Sequence, residues 1–313
     1  MNEPPLVTRD DITAAAQRID AHVRTTPIIR METGAFGIQA ALVLKLESLQ
    51  HTGSFKVRGA FNRMLSADVP PAGVIAASGG NHGVAVAYAA QRLGHVSEIF
   101  VPRTAASVKV ERLRRYGARV TQVGERYADA LLASQARARE TGALEVHAFD
   151  QPEVVAGQGT LGREFQAQAP EVETLLVAVG GGGLIAGVAS WTASEVRVVS
   201  VEPEAAPTLH AALQAGRPTT VPVAGVAVDA LGASRVGEIA FAVARRHIER
   251  AVLVDDEAIL AARRVLWDEL RIATEPSGAA AFSALLSGAY RPREGERVGV
   301  VICGGNADPR TLA

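Results

Sequence analysis

A lysine at the start of a predicted helix is the residue of this sequence best suited to covalent chemistry. Lys56 stands in the stretch 47–60, which reads E-S-L-Q-H-T-G-S-F-K-V-R-G-A. The run 41–46 is apolar and strand-like, and the run 57–65 has helical spacing. An amine at a helix N-terminus lies in a positive field, and an apolar pocket lowers its pKa. Lys56 is therefore a candidate Schiff-base nucleophile, although a surface lysine after a glycine turn would show the same local pattern.

Four further stretches carry glycines or polar side chains between predicted elements. Residues 77–83 read A-S-G-G-N-H-G, and residues 180–184 read G-G-G-G-L. Each follows an apolar strand and precedes a helix, where uncovered backbone N–H groups favour a carboxylate or a phosphate. Residues 275–279 read E-P-S-G-A, and residues 302–308 read I-C-G-G-N-A-D after the last predicted strand. Polar groups at the carboxyl ends of such strands face the crevice in which α/β sheets bind ligands.

The glycines at 180–183 also allow a different interpretation. Strand, glycines, helix, strand and then Glu202 resemble the dinucleotide-binding fingerprint with its ribose-binding acid. The glycine spacing is irregular, however, and an NAD enzyme would leave Lys56 and the turn 78–83 without a task. An NAD-dependent oxidoreductase and a catalytically silent ligand-binding module are the alternatives from other classes. Asn81 would then be a helix cap and Cys303 a small buried hydrophobe.

The elements that must position these residues alternate along the chain, as in βαβ folds. The predicted strands are short and apolar on both faces, which is typical of parallel strands covered by helices. Residues 216–232 are irregular and predict a loop. The predicted elements are helix 8–23, strand 73–77, helix 81–93, strand 97–101, helix 105–116, strand 118–123, helix 125–141, helix 152–168, strand 174–179, helix 183–193, strand 196–202, strand 249–254, helix 256–270, helix 278–287 and strand 297–303.

Composition excludes several classes of protein. The 313 residues are 48% hydrophobic and 21% charged, which suits a soluble α/β protein with room for two domains. A net charge of -1 gives no reason to expect nucleic acid or a membrane surface as partner. The single cysteine, Cys303, fits a reducing compartment. The near-neutral charge favours a small-molecule ligand. Because there is no apolar signal core at the N-terminus, we expect a cytoplasmic protein.

Taken together, the five motifs resemble those of the pyridoxal-phosphate-dependent serine/threonine dehydratases, of the tryptophan synthase β-like fold type (fold type II). They run in family order from residue 47 to residue 308. The resemblance implies an α/β fold of two parallel-sheet-based, three-layer sandwiches with the cofactor between them. A small domain is expected at residues 50–147 and a large one at residues 1–49 and 148–313. An amino-acid substrate and a homodimer are also implied, and no C-terminal regulatory domain is expected.

The resemblance gives each motif a role. Lys56 is implied to bind pyridoxal phosphate as a Schiff base, with Phe55 against the cofactor ring. The remaining cofactor-binding residues are implied to be Asn81 at the ring hydroxyl, Gly180, Gly181, Gly182, Gly183 and Leu184 at the phosphate, Cys303 beside the pyridine nitrogen, and Gly225 and Glu275. The substrate carboxylate is implied to bind at Ser78, Gly79, Gly80, Asn81 and His82.

Three departures from the family pattern bear on the expected reaction. Racemases of the family have a serine, acting as second base, at the position of Gly79, and glycine cannot move a proton. The family triplet A-D-G reads V-A-G at 223–225, so preference among serine, threonine and 3-hydroxyaspartate is open. Relatives bind a cation through a glutamate matching Glu202, a backbone carbonyl matching that of Ala206, and an aspartate. This sequence has Thr208 at the position of that aspartate. Dependence on a monovalent or divalent cation is therefore expected to be weak or absent.

The expected reaction is deamination of L-serine or L-threonine to pyruvate or 2-oxobutanoate and ammonia. Lys56 would take the proton from Cα, and the neutral Cys303 would favour loss of the β-hydroxyl over a long-lived carbanion. Serine racemase and 3-hydroxyaspartate dehydratase are the alternatives within the family.

Overall fold

The computed structural model describes residues 6–312, and in that range the chain forms twelve α-helices and ten β-strands. The helices are α1 (Arg9–Ile19), α2 (Lys56–Leu65), α3 (Asn81–Leu93), α4 (Ser107–Arg115), α5 (Tyr127–Thr141), α6 (Pro152–Gln168), α7 (Gly183–Thr192), α8 (Thr208–Ala215), α9 (Val228–Leu231), α10 (Glu238–His247), α11 (Asp256–Leu270) and α12 (Pro276–Leu286). The strands are β1 (Ile28–Met31), β2 (Ala41–Leu46), β3 (Val74–Ala77), β4 (Ser97–Val101), β5 (Arg119–Gln122), β6 (Leu144–Glu145), β7 (Thr174–Ala178), β8 (Arg197–Pro203), β9 (Ile248–Val254) and β10 (Arg297–Ile302).

Two separate sheets organise these elements. The larger sheet has the strand order β1-β2-β10-β7-β8-β9, in which the β1–β2 pair is antiparallel and the other pairs are parallel. The smaller sheet has the order β5-β4-β3-β6 and is parallel throughout. The predicted α/β class with parallel-sheet-based layers is therefore confirmed. No helix within residues 6–312 is long and apolar enough to cross a bilayer.

The smaller sheet carries helices on both faces because its strands are apolar on both faces. Val74 and Ala76 of β3 belong to a core shared with α2, α3 and α4, whereas Ile75 and Ala77 belong to a core beneath α5. Alternate side chains of a strand point to opposite faces of a sheet, so this segregation makes three layers. In the larger sheet α12 packs across β7 to β10, and α7 packs on β7 and β8.

Four charged side chains, three buried and one partly exposed, meet where α2 packs on β2 and α6. Arg58 donates through Nε and Nη2 to both carboxylate oxygens of Glu47, at 2.8 and 2.7 Å, and through Nη2 to Glu164 at 3.0 Å. Lys45 donates to the other Glu164 oxygen. Glu47 and Lys45 are completely buried. Two positive and two negative charges compensate one another, so this ion network can be buried while it ties the start of α2 to its neighbours.

The observed elements depart from the predicted ones mainly between β8 and β9. The structure has α8, α9 and α10 there, and α9 lies inside the predicted loop 216–232. β1 and the two-residue β6 were also not predicted, because so short a strand carries no readable alternation. The predicted helix 8–23 is shorter as an α-helix, and a 3₁₀ turn at Asp20–His22 follows it.

Candidate active site

Lys56 is the first residue of α2, where the sequence pattern predicted it. Its Nζ donates to the carbonyl oxygen of Ala148 at 2.8 Å and lies 5.2 Å from the centre of the Phe55 ring. Burial lowers the pKa of the Lys56 ammonium to about 8. A larger fraction of this amine is neutral near neutral pH than of an ordinary lysine, which makes it a usable nucleophile towards a carbonyl.

The end of β10 lies against the turn that precedes α2. Ser54 forms an isolated antiparallel bridge with Gly304, and the Phe55 N–H donates to the carbonyl of Cys303 at 3.3 Å. The Cys303 thiol donates to the carbonyl of Ser277 at 3.4 Å, and burial raises its pKa to about 12. Cys303 is therefore a neutral thiol at the candidate site.

Asn81, the first residue of α3, is held at both ends of its amide. Its Nδ2 donates to a carboxylate oxygen of Glu275 at 2.6 Å, and its Oδ1 accepts from Nδ2 of Asn306 at 2.7 Å. Burial raises the pKa of Glu275, against the effect of the bond from Asn81. Because the amide nitrogen has two N–H groups, these contacts leave one of them for a ligand.

The predicted carboxylate-binding turn joins β3 to α3. The hydroxyl of Ser78 accepts the Gly80 N–H at 3.2 Å. A Cβ atom added at Gly79 would meet its nearest neighbour at 3.5 Å, an ordinary contact distance. His82 donates through Nε2 to the carbonyl of Val146 at 2.8 Å, and burial lowers its pKa to about 3. The imidazole of His82 is thus neutral and already bonded to the protein.

The glycine loop at 180–184 leads into α7. Within residues 6–312 the backbone N–H groups of 181–184 have no protein acceptor, as expected of a phosphate-binding helix N-terminus. The glycines are also required by protein neighbours. A Cβ at Gly181 would lie 2.2 Å from the Phe149 ring, and one at Gly180 would lie 2.8 Å from the backbone of Leu231. Close packing on both sides of the loop therefore accounts for its composition.

Two parts of this region were not identified from the sequence. The turn 147–150 supplies the carbonyl that holds Lys56 and the ring that packs on the glycine loop, but a backbone carbonyl has no sequence signature. Asn306 lies within the C-G-G-N motif, and that motif was the signal that could have identified it.

Gly225 directly precedes a segment that lines a cavity. Its φ is +92°, and a Cβ there would lie 2.7 Å from Asp256, so glycine is required by both its conformation and its packing. Val226, Ala227, Asp229 and Ala230 help to line a cavity of about 280 Å³ together with Glu275 and Asn306. The contacts described above join most of the predicted residues into one region, and the segment after Gly225 reaches that region through the cavity it shares with Glu275.

Glu202 is engaged by the start of α8. Its carboxylate accepts the backbone N–H groups of Leu209 and His210, each at 2.7 Å. The hydroxyl of Thr208 lies 3.2 Å from the same carboxylate and 2.7 Å from the carbonyl oxygen of Gly180, to which its single proton is donated. Burial raises the pKa of Glu202 to about 7, while these bonds act in the opposite direction. Within residues 6–312 no group of three His, Cys, Asp or Glu side chains could hold a metal ion. Both carboxylate oxygens of Glu202 are bonded to the protein, which supports neither a cation at Glu202 and Ala206 nor a ribose at Glu202.

Residues 19–304 match the family model of the pyridoxal-phosphate dependent enzymes. The chain belongs to this family. This pyridoxal-phosphate-dependent enzyme is 38% identical over 307 residues to the L-threonine ammonia-lyase of Geobacter sulfurreducens, covering 96% of this chain and 76% of that protein. It is 37% identical over 321 residues to the phenylserine dehydratase of Ralstonia pickettii, covering 100% and 98% of the two chains. The structure of maize serine racemase superposes with a TM-score of 0.92 at 33% identity, covering 98% and 96%.

These likenesses confirm the predicted family and fold type. They give no support to the dinucleotide-binding interpretation of the glycine loop. The relatives of this pyridoxal-phosphate-dependent enzyme include both ammonia-lyases or dehydratases and racemases, so the family alone does not separate elimination from racemisation.

Proposed function

We propose that this pyridoxal-phosphate-dependent enzyme deaminates L-serine, L-threonine or both to ammonia and pyruvate or 2-oxobutanoate. The observation that supports this proposal best is the lowered pKa of the Lys56 amine at the candidate site, combined with the absence of a second base at Gly79. The names of the relatives point to the same class of β-hydroxy amino acids.

The residues present suit pyridoxal phosphate. A reactive amine is available at Lys56, and free backbone N–H groups at 181–184 suit a phosphate. The hydroxyl of Ser54 is fully buried without a hydrogen-bond partner, and such an orphaned group next to the lysine turn suits a polar ligand. When bound, pyridoxal phosphate would supply an electron sink that acidifies the Cα–H bond of an amino acid.

Each residue of the candidate site would then have its own role in binding or proton transfer. Lys56 would hold the cofactor until a substrate amine displaces it, and its freed Nζ would take the proton from Cα as general base. Phe55 would pack against the ring, and the spare N–H of Asn81 would face the ring hydroxyl. Within the turn 78–82, the N–H groups of Gly79, Asn81 and His82 would hold the substrate carboxylate. The N–H groups of Ser78 and Gly80 and the imidazole of His82 are already bonded to the protein.

Elimination is favoured over racemisation by two features of the site. Inversion at Cα needs a proton donor on the face opposite Lys56, and Gly79 offers none. Cys303 keeps its proton because its pKa is raised to about 12, so it provides no anion to stabilise a protonated ring nitrogen. A shallower electron sink favours early departure of the β-hydroxyl.

The test is a parallel incubation of the protein with L-serine, L-threonine, L-phenylserine and L-threo-3-hydroxyaspartate. The assay measures 2-oxo acid, ammonia and the configuration of the remaining substrate, with Lys56→Ala as control. We expect 2-oxo acid and ammonia in equal amounts from serine or threonine, and neither from Lys56→Ala. D-serine formed from L-serine without 2-oxo acid would show a racemase instead.

The division into a small domain of residues 50–147 and a large domain from the remainder stays part of this proposal, as does a homodimer. The smaller sheet lies entirely within residues 74–145, which supports the boundaries. Limited proteolysis that releases a fragment near these boundaries, and sedimentation equilibrium for the mass, would test the two statements separately.

A further inference from the structure

One short turn contacts both the lysine and the glycine loop. Residues 147–150 connect β6 to α6, and Nδ1 of His147 accepts the backbone N–H groups of Phe149 at 3.3 Å and Asp150 at 3.0 Å. A side-chain acceptor that closes a turn in this way resembles the Asx turn formed by asparagine and aspartate. The bonds require Nδ1 to carry no proton, and burial lowers the pKa of His147 in the direction that keeps the ring neutral.

The closed turn presents its groups to two parts of the site. The carbonyl of Ala148 accepts the Lys56 ammonium or amine at 2.8 Å. The next residue, Phe149, packs so closely on the glycine loop that Cβ atoms at Gly181 and Gly183 would lie within 2.2 and 2.9 Å of it. Adjacent residues of one turn therefore contact the reactive amine and the loop with the free N–H groups.

The far end of the turn is fixed as well. The carboxylate of Asp150 accepts the N–H groups of Glu238 and Ile239 at 3.0 and 3.1 Å, at the start of α10. The residue before α10, Gly237, donates its N–H to the carbonyl of Gly181 at 3.0 Å. The turn and the glycine loop are thus held in register through the start of α10. At the near end, Nδ1 of His147 closes the turn from inside, and the side-chain oxygen of Gln151 accepts the His147 N–H at 2.9 Å.

We infer that His147 is a positioning residue, which closes the turn 147–150 through Nδ1 and thereby sets the Lys56 amine at a fixed place relative to the glycine loop. The inference rests on the proposed function, because it requires Lys56 to be the cofactor-binding amine. His147 acts through the Ala148 carbonyl and has no need to contact the cofactor or the substrate.

Two substitutions separate this role from a general contribution to the fold. His147→Asn keeps an acceptor, because the side-chain oxygen of asparagine closes turns of this kind, whereas His147→Leu keeps an apolar side chain and removes the acceptor. Two ligands distinguish an effect on the Lys56 amine from an effect on the glycine loop. Pyridoxal phosphate needs both, while 4'-deoxypyridoxine 5'-phosphate lacks the aldehyde and can use the loop alone. Affinities are measured by fluorescence titration of the full chain after removal of its cofactor.

We expect His147→Leu to weaken pyridoxal phosphate binding about tenfold or more, since a hydrogen bond to a charged group is misplaced. Binding of the deoxy analogue should change less than about twofold, and His147→Asn should recover most of the pyridoxal phosphate affinity. Equal losses for both ligands, or equal losses in both variants, would show a merely structural role and overturn the inference, as would unchanged affinities.

If His147→Leu does not fold, the nitrogen-15 chemical shifts of the His147 imidazole in the unsubstituted protein test the inference instead. An unprotonated Nδ1 through the neutral pH range is expected, and a protonated Nδ1 would overturn the inference. Borohydride reduction of the unsubstituted protein with pyridoxal phosphate distinguishes failure of the proposed function from failure of the role inferred for His147. Failure to fix the cofactor on Lys56 would defeat the proposed function itself, whereas fixation on Lys56 with an unaffected His147→Leu would defeat only the role of His147.

Discussion

The lowered pKa of Lys56 should make this amine more reactive than an ordinary lysine. The difference is easy to measure, because the sequence contains only three lysines, Lys45, Lys56 and Lys109. Removing the cofactor and raising the pH converts each ammonium to the neutral, nucleophilic amine. With a pKa of about 8, roughly 9% of Lys56 is neutral at about pH 7. An ordinary lysine with a pKa near 10.5 is only about 0.03% neutral there, so Lys56 should have roughly 300 times the neutral fraction.

Competitive acetylation with a limiting amount of labelled anhydride, followed by mass spectrometry of the peptides, measures this fraction for each lysine. Lys109 is the internal reference, because its side chain is partly exposed and pairs with Asp229 at 2.9 Å. Lys45 is fully buried in the ion network and should label slowly at every pH until the protein unfolds. The Lys56 profile should rise with a midpoint near pH 8. A midpoint above about 10 would refute the argument that burial activates this amine.

Three further predictions concern packing at the site and beneath it. Gly79→Ser should fold normally, since a Cβ fits there, and should form D-serine from L-serine on chiral chromatography. Gly181→Ala should weaken pyridoxal phosphate binding about tenfold or more in a titration, because its Cβ would overlap the Phe149 ring, and adding Phe149→Ala should restore part of the loss. Glu47→Gln leaves Arg58 undercompensated in a buried ion network and should destabilise the protein by about 3 kcal/mol, which thermal melts would show as a loss of roughly 5–10 °C.

Matched variants make these outcomes specific. Gly79→Ala adds the same Cβ without a proton-carrying group and should form no D-serine. Glu195→Gln breaks an exposed pair with Arg9 and should change stability by less than about 1 kcal/mol. D-serine from Gly79→Ala, or equal melting losses in Glu195→Gln and Glu47→Gln, would contradict the reasoning.

The sequence predicted the elements best where hydrophobic periodicity was long and turn residues were clear. Helix 81–93, strand 97–101, helix 152–168 and helix 256–270 have the predicted bounds in the structure. Periodicity failed where β6 is two residues long and where three helices follow β8 in quick succession. Those segments are ordered by packing on distant parts of the chain, which local propensity does not contain.

The sequence predicted those groups of the candidate site that are side chains or glycines within recognisable motifs. Lys56, Asn81 and Glu275 were named, and the structure places Asn81 against Glu275. The carbonyl of Ala148 could not be predicted, because every residue has one and only the fold decides which carbonyl meets the amine. The burial of Glu202 under the N–H groups of α8 likewise depends on a helix that the pattern did not predict.

The position of β10 has a consequence for the order in which the chain can fold during synthesis. Although it is the last strand of the described part, β10 lies between β2 and β7 in the middle of the larger sheet. The smaller sheet is built from residues 74–145 and can pair its strands early. The larger sheet must keep the edges of β2 and β7 open until residues 297–302 leave the ribosome. Ser54 can pair with Gly304 only after that, so the lysine turn is completed only once residue 304 has left the ribosome. Until then the nascent chain exposes two apolar strand edges, and we expect it to depend on chaperones at that stage.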